Sequence, residues 1–171
     1  MAEQKLLIRS LVPSAFAELA AADGQPRYRS AQLRSWVFAQ GAFAWERMSN
    51  LPAAWRAELA ARWDLAALEP QERQVSADGT RKFLFRLRDG QTVESVIIPM
   101  SGHATFCVSS QVGCAMACRF CATARGGLVR DLEPGEIVEQ VQRLAADLEA
   151  EPLPDPGDKA FNVVFMGMGE P

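Results

Sequence analysis

The chain has 171 residues, 49% of them hydrophobic and 23% charged, with a mean hydropathy of −0.06. Those proportions are globular and exclude disorder and low complexity, and no run of about 18 apolar residues predicts a membrane span. Net charge is −3, unlike a typical nucleic-acid binder, but residues 1–100 hold 13 Lys+Arg against 11 Asp+Glu while 101–171 hold 5 against 10, so a basic face would come from the first part.

The N-terminal stretch MAEQKLLIRSLVPSAF lacks a long apolar core and a small-residue cleavage site, so a cytoplasmic location is expected. Residues 4–68 read as helical. Leu6, Leu7 and Leu11 form one amphipathic set, which Pro13-Ser14 interrupts and Phe16, Leu19 and Ala20 continue. After a break at Ala22–Pro26, Ser30 is placed to cap a helix through Leu33, Trp36, Val37 and Gln40, ended by Gly41. Asn50 and Pro52 open another, with Trp55, Leu59 and Trp63 at i, i+4, i+8. The plain reading of these Trp residues is core packing, and of Arg27, Arg29 and Arg34 solvated charge.

Residues 72–99 change period. Asp78-Gly79 and Asp89-Gly90 are hairpin-turn dipeptides. They bound strands at Lys82–Leu87 and Thr92–Ile98, the second stopped by Pro99, and a three-stranded antiparallel meander fits. Ala104–Val108 is strand-like and runs into a cysteine-bearing loop that Gly126-Gly127 closes. Pro134 starts a helix with Ile137, Val138, Val141, Leu144 and Leu148 on one face, and Glu133, Glu136 and Glu139 suit its dipole. Glu151–Asp158, with three prolines, reads as a linker. Phe161–Met166 is a buried-type strand followed by Gly167-Met168-Gly169-Glu170-Pro171. Strand, helix and strand with this crossover make one βαβ unit, which by itself leaves bare edges and an uncovered face, so the domain is expected to be unfinished.

All four cysteines fall at 107, 114, 118 and 121. Such clustering in a cytoplasmic chain points to metal or redox chemistry rather than a disulfide framework. Cys114-Ala115-Met116-Ala117-Cys118-Arg119-Phe120-Cys121 is C-x3-C-x2-C. Three thiolates from one loop suit a [4Fe–4S] cluster with one iron left open to chelate a small molecule. Structural zinc is the alternative, and would need Cys107 or His103 as a fourth ligand. Cys107 also reads as a small hydrophobe in a strand, and Glu94 as an exposed strand carboxylate.

The triplet after a strand of a βα unit, with the Gly-Met-Gly-Glu-Pro stretch, resembles radical S-adenosylmethionine (SAM) enzymes. Thr105–Cys114, Ser76–Lys82, Val93–Pro99 and Gly135–Val141 resemble, more narrowly, the RlmN/Cfr family of RNA adenine methyltransferases. The regions Arg29–Trp36 and Leu51-Pro52 look like that family's helical domain. His103 departs from a basic Arg expected there in many relatives. The resemblance covers nearly the whole chain but only the front portion of the family's protein. It implies a helical RNA-binding-type accessory domain over 1–70, an antiparallel β extension over 71–100, and over 101–171 the first βαβ unit of an incomplete partial (β/α) barrel.

The resemblance further implies that Cys114, Cys118 and Cys121 hold the cluster and that Gly169 and Glu170 steady the SAM amino end. The family loads a methyl group from one SAM onto a cysteine near its C-terminus. A 5′-deoxyadenosyl radical from a second SAM activates it for addition to adenine C2 of large-subunit rRNA or tRNA. Glu94 matches the family's proton acceptor. Cys107 matches the cysteine that forms a transient disulfide and releases the product. A flavodoxin-type electron donor and a monomeric state are also implied. No Cys follows Cys121, so the chain alone is expected not to methylate. Cfr-like C8 methylation, another radical SAM activity such as glycyl-radical activation, and a non-catalytic RNA- or metal-binding fragment stay open.

Overall fold

The computed structural model describes residues 5–153 and 161–170. Most of the expected linker and Pro171 lie outside them. The chain divides into two compact units, Met1–Ala67 and Leu68–Pro171.

In the first unit three helices, α1 (Ala15–Ala22), α2 (Tyr28–Arg34) and α3 (Ala53–Arg62), enclose a core of Phe16, Leu33, Val37, Trp55 and Leu59. Trp36, Trp45 and Trp63 pack at its margin, in keeping with the core-packing expectation. Leu6–Leu11 is not the expected amphipathic α-helix but a short strand followed by a single 3-10 turn at Ile8–Ser10. Leu6–Leu7 form a short strand, β1, parallel to Trp63–Asp64, β2. Trp63 is therefore extended (φ −126°, ψ 139°) rather than on the last turn of α3. A ladder partner 57 residues earlier overrides the local helical spacing. Nor does Ser30 begin a helix, for α2 starts at Tyr28 and the Ser30 hydroxyl donates to the Arg27 carbonyl at 2.7 Å.

The second unit is built on one five-stranded sheet. Its strands are β3 (Leu68–Val75), β4 (Arg81–Leu87), β5 (Thr92–Met100), β6 (His103–Cys107) and, last in the chain, Phe161–Val164. The first four pair antiparallel in chain order, and Phe161–Val164 adds parallel to β6. The expected division at residue 100 thus falls inside a continuous sheet, since β5 pairs with β6 from Val96↔Cys107 to Met100↔His103. Pro99 does not stop β5. The β4 ladder has already ended at Arg81↔Ile97, so proline is tolerated at this strand end.

Between β6 and the last strand lie a small hairpin and a helix. Gln111–Gly113 (β7) pairs antiparallel with Leu128–Asp131 (β8), and the last strand becomes β9. The helix, α4 (Pro134–Ala150), packs Ile137, Val141, Leu144 and Leu148 onto Phe85, Val93, Ile97 and Phe106. Glu133 and Glu136 cap its start reciprocally, the Glu133 N–H donating to Glu136 Oε2 at 2.8 Å. Glu136 and Glu139 are more than dipole partners. Both are buried, Glu136 against the Arg130 guanidinium (2.8 and 2.9 Å) and Glu139 against Arg143 (2.8 Å) and the Leu68 N–H (3.2 Å).

β9 is not buried as expected. Phe161, Val163, Phe165 and Met166 are exposed, because β9 is the edge of the sheet among the described residues. No described helix is long and apolar enough to cross a membrane.

Candidate functional site

Cross-strand partners share a sheet face, and side chains alternate along a strand. Val93, Ser95 and Ile97 of β5 face α4. Glu94 and Val96 therefore lie on the other face, and Cys107, opposite Val96, lies there too. The register thus brings Glu94 and Cys107 to one surface as diagonal neighbours. Glu94 is half-exposed, and Lys82 on β4 donates to it at 3.1 Å. Cys107 is buried at the carboxyl end of β6. Burial pushes its thiol up from the ordinary value, and the Met166 backbone N–H directed at the sulfur offsets part of that.

A thiol whose folded pKa is raised stabilises the fold fully below the unfolded thiol's pKa, about 8.5, and loses that contribution as pH rises through the folded value. The melting temperature of the protein minus that of Cys107→Ala is therefore expected to fall from pH 7 to pH 10. A constant difference would mean that this thiol does not titrate differently in the folded chain.

Beyond the carboxyl ends of β6 and β9, two segments are stitched together. Val108 N–H donates to Val164 O (3.0 Å), Gly167 N–H to Val108 O (3.1 Å), and Ser110 and Gln111 N–H both to Met168 O (2.9 and 3.1 Å). Ser109, fully buried, is the hub. Its hydroxyl donates to the Glu94 carbonyl (2.6 Å) and accepts from Met168 N–H (2.9 Å). Its backbone N–H and C=O are both met by the Gln140 amide (2.8 and 3.0 Å), whose oxygen also accepts from Ser95 (2.7 Å). Buried networks of this kind are costly to break, because each lost partner strands a desolvated group.

Gly169 has φ +100°, and a Cβ there would stand 2.6 Å from Gln111 Cβ. Only glycine combines that backbone with so close an approach. Glu170 follows directly, its N–H donating to Gln111 Oε1 at 3.1 Å.

The cysteine loop springs from the β7–β8 hairpin. Gly113 has φ +77°, and a Cβ on it would collide with the Gly127 carbonyl oxygen. Cys114 N–H donates to that same oxygen at 3.1 Å and closes the loop base. Cys121 N–H donates to Cys118 O (3.1 Å), setting the last two cysteines on one turn. Ala117, between the first two, has φ +51°, a conformation rare for a residue with a side chain. Cys114 is buried, Cys118 exposed and Cys121 half-buried, and all four cysteines are free. The Ala124 N–H, foremost, lowers the pKa of the Cys121 thiol.

The donor set fits an iron–sulfur group in its chemistry, being three free thiols from one loop with N–H groups directed at one of them. Among the described residues, however, no three His, Cys, Asp or Glu side chains stand as a group that holds a metal, so the thiols are close in sequence but not gathered on one point. Sequence reasoning singled out the cysteines, Glu94, Gly169 and Glu170. It missed Ser109, Gln111, Gln140 and Lys82, whose partners lie on other elements.

Against known proteins, the chain is 48% identical over 155 residues to the "Probable dual-specificity RNA methyltransferase RlmN" of Synechococcus sp. (strain CC9311), covering 90% of this chain and 42% of that protein. The chain belongs to the RlmN/Cfr family. A second RlmN/Cfr relative, the dual-specificity RNA methyltransferase RlmN of Anaeromyxobacter dehalogenans (strain 2CP-C), is 45% identical, with coverages of 96% and 44%. A crystal structure of a radical SAM methyltransferase from Sphaerobacter thermophilus superposes with TM-score 0.88 at 41% identity, over 97% of this chain and 48% of that one. The chain thus spans about half the length of the RlmN/Cfr relatives it matches. No protein-family model matches it.

Proposed function

We propose that the chain is the front portion of a radical SAM RNA methyltransferase that methylates adenine C2 in large-subunit rRNA and in tRNA. One observation carries the reading. The Gly167–Glu170 segment is bound edge to edge with Val108–Gln111, three residues before Cys114, so Glu170 is tied, beyond the carboxyl ends of two parallel strands, to the segment that leads into the cysteine loop. That is where α/β folds bind their ligands.

In this reading Cys114, Cys118 and Cys121 hold a [4Fe–4S] cluster, and Glu170 offers its carboxylate to the ammonium of SAM, with Gly169 keeping the backbone close. The cluster with SAM supplies one-electron chemistry, which an electron-poor carbon such as adenine C2 requires. Glu94 accepts a proton from the adenine, held in place by Lys82. Cys107, on the same sheet face, attacks as thiolate the sulfur of the methyl-carrying cysteine of the full-length protein, so that a disulfide forms as that sulfur's bond to the product carbon breaks and the carbon keeps the electron pair and takes up a proton. The βαβ unit begins a partial (β/α) barrel, and the first unit faces RNA. An rRNA and a tRNA substrate, a flavodoxin-type donor, a monomeric state and a cytoplasmic setting complete the reading.

The test uses the full-length protein with SAM, a reductant and rRNA and tRNA fragments, followed by mass spectrometry of the nucleosides. 2-Methyladenosine is expected, and Glu94→Gln should lower its rate about a hundredfold or more, the usual worth of a general base. 8-Methyladenosine would move the protein to the Cfr-type reaction, and no methylated adenosine would overturn the reading.

A further inference from the structure

Gln111 opens β7, three residues before Cys114, and is buried. Both ends of its side-chain amide are engaged. Nε2 donates to Asp131 Oδ1 at 2.8 Å, and Oε1 accepts the Glu170 N–H at 3.1 Å. Asp131 closes β8, the strand that returns from the cysteine loop, and faces Gln111 in the ladder. Met168–Glu170 lies flat on Gln111, with the Gln111 N–H on the Met168 carbonyl and Gly169 against Gln111 Cβ. One side chain therefore joins both strands flanking the cysteines to the backbone of Glu170.

The chemistry of the position is narrow. A carboxylate at 131 calls for a donor and a backbone N–H at 170 calls for an acceptor. A primary amide meets both at once, in a single orientation. A carboxylate at 111 would face Asp131 with like charge, and a thioether would leave both partners unmet.

We propose that Gln111 is a positioning residue that sets where the Glu170 carboxylate stands relative to the cysteine loop, and with it the amino end of the bound ligand. The ligand part rests on the reading of Glu170 as the group that takes the SAM ammonium. The tie itself rests only on the hydrogen bonds. The arrangement makes the two halves of the site, one on β7–β8 and one after β9, move as a unit.

The test compares Gln111→Met, which keeps length but loses both bonds, with the double variant Gln111→Glu/Asp131→Asn. The double variant reverses the bond between these two positions. The new amide at position 131 donates to the new carboxylate at position 111, which retains an acceptor for the Glu170 N–H. In the metal-free full-length protein, amide hydrogen exchange at Glu170 is expected to quicken about tenfold in Gln111→Met, for hydrogen bonds of ordinary net strength, and to return in the double variant. In the iron-loaded protein the SAM dissociation constant should rise about tenfold with iron content unchanged, and return likewise. Unchanged exchange at Glu170 in Gln111→Met overturns the tie, as does a double variant that melts normally yet restores neither readout. Exchange that responds as expected while SAM affinity does not overturns the positioning role. A wild-type protein that takes up iron but no SAM removes the reading of Glu170, while the exchange measurement still decides the tie.

Discussion

Replacing Cys118 by alanine is expected to abolish iron loading. Anaerobic reconstitution of the protein should give a brown product with about four irons per chain, and Cys118→Ala a nearly colourless one. A cubane cluster would take one thiolate at each of three irons, and the loop has no spare thiol. Cys107 is the instructive control. It lies in β6, seven residues before the triplet, on a sheet face shared with Glu94, and is buried there. Cys107→Ala should therefore keep its full iron content. Equal loss in the two variants would make Cys107 a fourth ligand and revive a closed metal site. Uptake of zinc in place of iron by the wild-type chain would remove the cluster reading altogether.

Gly113→Ala is expected to be the most damaging single methyl in the loop. Its φ of +77° costs an alanine about 1–2 kcal/mol by itself. The added Cβ would also strike the Gly127 carbonyl, with the Gly127 carbon at 3.0 Å and Leu128 Cα at 3.3 Å. These are backbone atoms and have no rotamer to move to, so the β7–β8 ladder must part. Destabilisation above about 2 kcal/mol is expected, with faster amide exchange from Gln111 to Cys114 and from Leu128 to Asp131. Gly126→Ala is the matched comparison from the same loop. It has an ordinary φ and nothing within 4 Å of the added carbon, so its effect should stay within about 0.5 kcal/mol. Similar exchange profiles for the two variants would show that the close approach of Gly113 to Gly127 does not hold the loop.

Both expectations draw on features of different legibility. The cysteine triplet is visible in the sequence because its meaning lies in spacing alone. The two Asp-Gly turns and α4 are visible for the same reason, each being set by residues within a few positions of one another. The Gly113–Gly127 approach is not visible. Gly126-Gly127 reads as a loop closure, but nothing local says that Leu128–Asp131 turns back to pair with β7. Trp63 shows the converse failure. Its i+8 spacing from Trp55 is a sound helical signal, and a distant strand, Leu6–Leu7, overrules it.

The sequence by itself determined the local chemistry of this protein. It marked three thiols on one loop, a carboxylate after a glycine pair, an amphipathic helix with acidic residues at its start, and family membership through segments spread along the chain. These follow from residue type and short spacing, which need no fold to be read. Only the tertiary structure decided how they meet. Strand register places Glu94 and Cys107 on one face, and that register is a relation between residues on neighbouring strands. Hydrogen bonds spanning 59 residues, from Gln111 to Glu170 and from Ser109 to Met168, join the motif after β9 to the segment before the cysteines. Such contacts exist because β9 returns parallel beside β6, a topological fact that no window of the sequence contains.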